Sequence, residues 1–193
     1  RSKNCWWPAR GWIAALPKVR PDEVLSRLRD CPGLALASLP GTSGIYALRD
    51  HTGAIRYIGI AHTEGFRVRI RNKHATGSED RSHKFSAAYN SGRLWRDRHD
   101  GCKVDGSVSK RLRNRLILKH CTASVVEIDD YDSKAALEQL EREVISLASA
   151  EEVTWNGKFA PVDEPSELVD RLIDEARFTD GGRAALDRQK ARF

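Results

Sequence analysis

The chain has 193 residues, 40% of them apolar and 31% charged, and a net charge of +6. That length suits one domain with extensions around a buried core, and no apolar run approaches the roughly 18 residues of a membrane span. Charge is concentrated: between Arg93 and His120 nine lysines and arginines face three aspartates, and the rest of the chain is near neutral. Such a segment suits a polyanionic partner such as nucleic acid, or is simply a solvated face. Cys5, Cys31, Cys102 and Cys121 are scattered without a Cys-x-x-Cys pair, which points to reduced structural thiols rather than a zinc module or a disulfide framework. No secretory signal is visible. The absence of methionine leads to the expectation of a fragment or processed product of a larger protein.

In chain order, Trp6, Trp7 and Trp12 cluster around Pro8 in an apolar, basic arm, suited to packing on the core or to stacking on bases. A short helix starts at Asp22, carries Val24, Leu25 and Leu28 on one face and ends near Pro32 and Gly33. Two apolar runs, 44–48 and 55–60, flank Asp50, His51, Thr52 and Gly53, the pattern of a hairpin. Phe66, Ile70 and Lys73 then recur at helical steps with Arg67, Arg69 and Arg71 between them, predicting a basic helix to about residue 75. A second helix over 82–90 buries Phe85, Ala88 and Tyr89. The basic segment 92–121 is ambiguous: Leu112 and Leu116 suit a helix, whereas 111–118 partly alternates. A strand follows at 123–128. Asp132 or Ser133 caps a helix over 134–148, whose Ala136, Leu137, Leu140, Val144, Ile145 and Leu147 form an apolar stripe. Helices over about 166–177 and from 182 onward either dock or reach toward a partner.

Gly44-Ile45-Tyr46 and Tyr57-Ile58-Gly59 stand ten residues apart, followed by the arginine-bearing helix. This order resembles the GIY-YIG nuclease family over about 44–156, apart from the basic segment. The resemblance implies an α+β fold with a small three-stranded antiparallel sheet flanked by helices. It divides the chain into an arm at 1–40, a core at 41–160 with a basic insertion at 92–121, and a helical extension at 161–193.

Hydrolysing a phosphodiester requires an activated water, charge stabilisation at phosphorus and help for the leaving oxygen. By resemblance, Tyr46 activates the water, and an ordinary phenol does this only if nearby positive charge favours its phenolate. Tyr57 is the second tyrosine at the same phosphate. Phe66-Arg67-Val68-Arg69-Ile70 selects Arg69 as the phosphate clamp, with Arg71 as the rival. Relatives place a histidine or tyrosine four residues after that arginine. Here Lys73 holds that place and His74 comes one later, so His74, like His83 ahead of the next helix, either assists the base or lies at the surface. Leu140-Glu141-Arg142-Glu143-Val144-Ile145 selects Glu141 as the ligand of one magnesium or manganese ion, and Asn156 resembles the terminal asparagine of the family.

Arg67, Arg71 and Lys73, with Arg93, Arg96, Arg98, Lys110, Arg111, Arg113 and Arg115 of the insertion, are the candidate contacts to a DNA backbone. Three readings stay open. One is a restriction-like endonuclease, a homodimer in the bacterial cytoplasm with a methyltransferase partner. The second is the toxin domain of a larger bacterial effector, with an immunity-protein partner and a target cell's cytoplasm as its place of action. The third is a non-catalytic nucleic-acid-binding module on the same fold.

Overall fold

The computed structural model describes residues 19–96, 103–128, 131, 133–157 and 161–193. The tryptophan cluster, Cys5, Arg98, Cys102 and Asp132 lie outside the described residues. Among the described residues no helix is long and apolar enough to cross a membrane.

The fold is α+β and is organised around the hairpin of β2 (Gly44–Arg49) and β3 (Ile55–Ala61). Its turn is held by Asp50, whose side chain accepts from the Thr52 N–H, the Thr52 hydroxyl and the Ala54 N–H at 2.8, 2.6 and 3.1 Å, while Gly53 takes a φ of +87° that disfavours a side chain. β2 is central and nearly buried throughout because β4 (Thr122–Glu127) pairs antiparallel on its other side and both sheet faces are covered.

The sheet has four strands, not the three that the resemblance implies, in the order β1-β4-β2-β3. The additional strand, β1 (Leu34–Ala35), adds to the outer edge of β4 through the pairs Leu34↔Ala123 and Ala35↔Thr122. Two residues carry no alternation to read, and β1 is specified by the close approach of Gly33, where a Cβ would strike the side chain of Thr122.

One face carries Ile45, Ala47, Ile58 and Val126 against α1 (Pro21–Asp30) and α4 (Lys134–Leu147). α1 starts at a proline in its first turn, where the missing N–H costs nothing, and it buries Val24, Leu25 and Leu28. α4 begins at Ser133, whose hydroxyl accepts from the Ala136 N–H at 3.2 Å. Its buried stripe is narrower than the sequence pattern: Leu137 and Val144 are buried and Leu140 and Ile145 partly so, while Ala136 and Leu147 are exposed, because the sheet beneath is only a few strands wide.

The opposite face carries Tyr46, Leu48, Tyr57, Ala61 and Ala123. Over it lie a π-helix (Arg67–Ala75), α2 (Lys84–Ala88), α3 (Lys103–His120), α5 (Ser166–Glu175) and α6 (Asp180–Arg192). The ambiguous stretch of the basic segment, 111–118, therefore lies within a helix, with Leu112, Leu116 and Ile117 in the core. Both extensions contribute to the cores: α1 to one, and Val169, Leu172, Ile173 and Leu186 of α5 and α6 to the other. Cys121 is free and buried, and burial pushes its thiol up to about 12.

Candidate active site

Strand periodicity places Tyr57 and Gly59 on one face of β3, and the register sets Tyr46 of β2 opposite Gly59. The two phenols converge over this glycine. A Cβ at Gly59 would lie 2.8 Å from the Tyr57 hydroxyl and 2.9 Å from that of Tyr46, so only glycine leaves room for both oxygens. The rings of Tyr46 and Tyr57 are 6.0 Å apart, and the His74 ring completes a triangle at 5.7 and 5.5 Å.

His74 reaches this triangle because the helix carrying it is wound as a π-helix. The Thr76 N–H donates to the Arg71 carbonyl, five residues back, at 3.2 Å. In this winding, residues five apart share a face, as residues four apart do in an α-helix. Arg69 and His74 are five apart, so the one-residue displacement seen in the sequence is absorbed by the backbone. His74 is fully buried and not a surface residue at a helix end.

Its two ring nitrogens have distinct partners. The Lys84 backbone N–H donates to Nδ1 at 3.0 Å, and Nε2 lies 2.6 Å from the Tyr46 hydroxyl. A nitrogen that accepts from an amide carries no proton, so the neutral ring bears its proton on Nε2 and donates it to Tyr46. Burial, and then the positive charges of Arg69, His83, Lys84 and Lys73, holds His74 well below the usual histidine range. Burial, and then Tyr57, holds the Tyr46 phenol well above its ordinary value, while Arg69 pulls it down. Tyr57 is raised by burial and then by the charge of Glu141, again opposed by Arg69.

Arg69 is thus electrostatically coupled to both phenols and to Glu141. Its Nε is buried, finds no hydrogen-bond partner among the described residues, and lies 3.7 Å from Glu64. Glu141 sits half-buried on α4, a helix in contact with β3, and its charge acts on the Tyr57 phenol. Burial and then Glu138 hold its carboxyl above the usual range. Such a carboxylate gains from a nearby cation. No group of three potential metal ligands occurs among the described residues. A hard divalent ion at Glu141 would take its remaining ligands from water and substrate oxygens, a donor set magnesium accepts. Glu143 is exposed, and Glu138 pairs with Lys134 at 2.9 Å.

Asn156 faces the backbone of β3. Its Oδ1 accepts from the Ile58 N–H at 3.1 Å and its Nδ2 donates to the Ile58 carbonyl at 2.7 Å. It therefore braces the strand that carries Tyr57 and Gly59. His83 has Nδ1 2.8 Å from the Ser78 hydroxyl. Its neighbour Lys84, which the sequence did not single out, has Nζ 5.2 Å from the centre of the Tyr57 ring. The available signal was helix phase: Lys84 is one helical turn ahead of the buried Ala88.

The candidate backbone contacts divide. Arg113 is fully buried and donates to Asn90 Oδ1 at 2.5 Å, to the Leu94 carbonyl at 2.9 Å and to Glu79. Arg93 is bound to Glu164 and, at 2.6 Å, to Asp170. Arg96 lies 3.9 Å from Glu79, and Lys73 is paired with Glu64. Arg113 and Arg93 are thus structural ion-pair partners and not part of a basic surface tracking DNA. Arg67 and Arg71 on the π-helix and Arg111 and Arg115 on α3 are exposed, and Lys110 is half-buried; Arg67 also donates to the Leu39 carbonyl at 3.1 Å, and Arg111 lies over the Phe178 ring. Comparison with protein-family models, curated proteins and solved structures returns no match.

Proposed function

We propose that the chain is a metal-dependent endonuclease that hydrolyses phosphodiester bonds in DNA, built on a GIY-YIG-like core. The supporting observation is convergence: the rings of Tyr46, Tyr57 and His74, from three separate elements, lie within 6.0 Å of one another, and the charges of Arg69 and Glu141 both act on Tyr57. Arg69 acts electrostatically on both phenols, and its guanidinium charge would stabilise an anionic phosphate oxygen as charge builds on it.

Tyr46 is a neutral phenol in the resting site, because burial outweighs Arg69. Its oxygen accepts the His74 Nε2 proton, and its own hydroxyl donates toward the Tyr57 oxygen. To act as base Tyr46 first loses that proton to solvent, the His74 donor and the Arg69 charge favouring the phenolate; the phenolate then takes a proton from the water as it attacks phosphorus and returns to the neutral phenol. His74, neutral and with Nδ1 occupied, donates to Tyr46 and is not itself the base. Glu141 would hold a magnesium or manganese ion, which when bound would supply positive charge at the phosphate and lower the pKa of a coordinated water.

Plasmid cleavage tests the reading, with magnesium present and then removed by chelator. The expected result is cutting by the parent chain that chelation abolishes. Glu141→Gln and Tyr46→Phe should each slow it by about a hundredfold or more, as for removal of a group that acts in the transition state. Undiminished cutting by both variants would overturn the assignment of the site, and intact plasmid with the parent chain would overturn the activity.

A further inference from the structure

The space around His74 is unusually cationic for a buried site. Arg69, Lys73, His83 and Lys84 all act on it, and Lys84 in turn has Arg69 and Arg81 as its charged neighbours. Glu64 neutralises part of this set by pairing with Lys73 and approaching Arg69. Lys84 is half-buried, with its Nζ 5.2 Å from the centre of the Tyr57 ring. Like charges brought together beside buried rings repel, and an anion binding between them relieves that repulsion.

A phosphodiester has two non-bridging oxygens, and the Arg69 guanidinium, which acts on both phenols, can contact one of them. A compact ammonium beside that guanidinium supplies a second, geometrically separate contact. We propose that Lys84 is a phosphate-contacting residue of the same site, its ammonium and the Arg69 guanidinium together holding one phosphodiester above Tyr57. Through its backbone N–H, Lys84 also fixes the proton of His74 on Nε2. Lys84 thus contributes twice, and only the side-chain contribution is sensitive to substitution.

This rests on the nucleic-acid reading of the site, and a binding measurement separates it from the claim of hydrolysis. A fluorescent DNA duplex is titrated with the full chain at several salt concentrations in the presence of chelator, for the parent, Lys84→Met and Lys84→Arg. Cleavage of the same duplex is then followed with magnesium, and thermal melting of each variant confirms folding, with Lys84→Gln replacing Lys84→Met if that variant melts early. A phosphate contact predicts that Lys84→Met lowers the slope of log affinity against log salt by about 0.9, the value for one neutralised phosphate, and that Lys84→Arg restores it. Cleavage should fall by roughly a hundredfold or more in Lys84→Met. An unchanged salt slope in Lys84→Met overturns the proposal. Binding without cleavage by the parent removes hydrolysis and leaves the slope to decide on Lys84. No binding by the parent overturns both.

Discussion

His74 is buried as a neutral ring between two partners, and this makes it an acid-sensitive point of the fold. Its folded-state pKa is lowered, so at pH values below the ordinary histidine value the unfolded chain binds a proton that the folded chain does not. The stability associated with His74 is fully present above about pH 6.5 and is lost as pH falls, at up to about 1.4 kcal/mol per unit between the two pKa values. Melting temperature should therefore drop between pH 7 and pH 5, and the drop should be shallower in His74→Gln. An equal pH dependence in both proteins would place the acid sensitivity elsewhere. At Gly59 the expected outcome is different in kind. Gly59→Ala inserts a methyl group against both phenol oxygens, which should cost about 1–3 kcal/mol of overpacking and also abolish plasmid cutting, as denaturant titration and the cleavage assay would show. Retained activity would mean that the spacing of the two hydroxyls is not critical.

At the level of elements, the hairpin was the most legible part of the chain, because its turn residues and flanking alternation agree. The helix α4 was legible too, with Ser133 one of its two candidate caps, but its apolar stripe was read wider than the part that is buried. The π-helix was not legible. Its apolar residues recur at three- and four-residue steps, which an α-helix satisfies equally well, and only the wider winding explains how His74 joins Arg69. Likewise, a two-residue strand has no periodicity, and whether Arg113 faces water or the core depends on Glu79, 34 residues away along the chain. Because the wider turn holds one more residue than an α-turn, shortening the helix by one should convert it. Deleting exposed Asn72 places His74 four residues after Arg69 in an α-helix. The shortened protein should keep its fold and cut DNA within about tenfold of the parent, since the cost of a regular turn is small against the packing it preserves. Loss of cooperative melting in the deletion variant would show that the π-winding is itself required.

On the scale of the whole molecule, the buried pair of Arg113 with Glu79 ties α3 to the loop that leads into α2, and so to Lys84 and His74. Arg113 is fully buried and the Glu79 side chain is 5% exposed. Removing one partner leaves an uncompensated buried charge. Arg113→Met should cost about 3–5 kcal/mol in urea unfolding, and Arg113→Met combined with Glu79→Gln should recover part of that loss. If the double variant is no more stable than the single one, the pair matters through shape and not charge. The positive segment of the sequence is thus spent partly inside the molecule, which is why its charge count overstated its basic surface.

The clasp at the end of the core has a consequence for how these molecules behave toward one another. Edge strands expose backbone donors and acceptors on which a second chain can add. On β3 those of residues 56 and 58 are occupied, by the Trp155 N–H on the Arg56 carbonyl at 2.8 Å and by the Asn156 amide on both polar groups of Ile58. The opposite edge, β1, is two residues long, too short to template much of a strand. The edge of β3 is therefore covered at these positions, and the asparagine that braces the candidate site also shields that strand from pairing with a second chain.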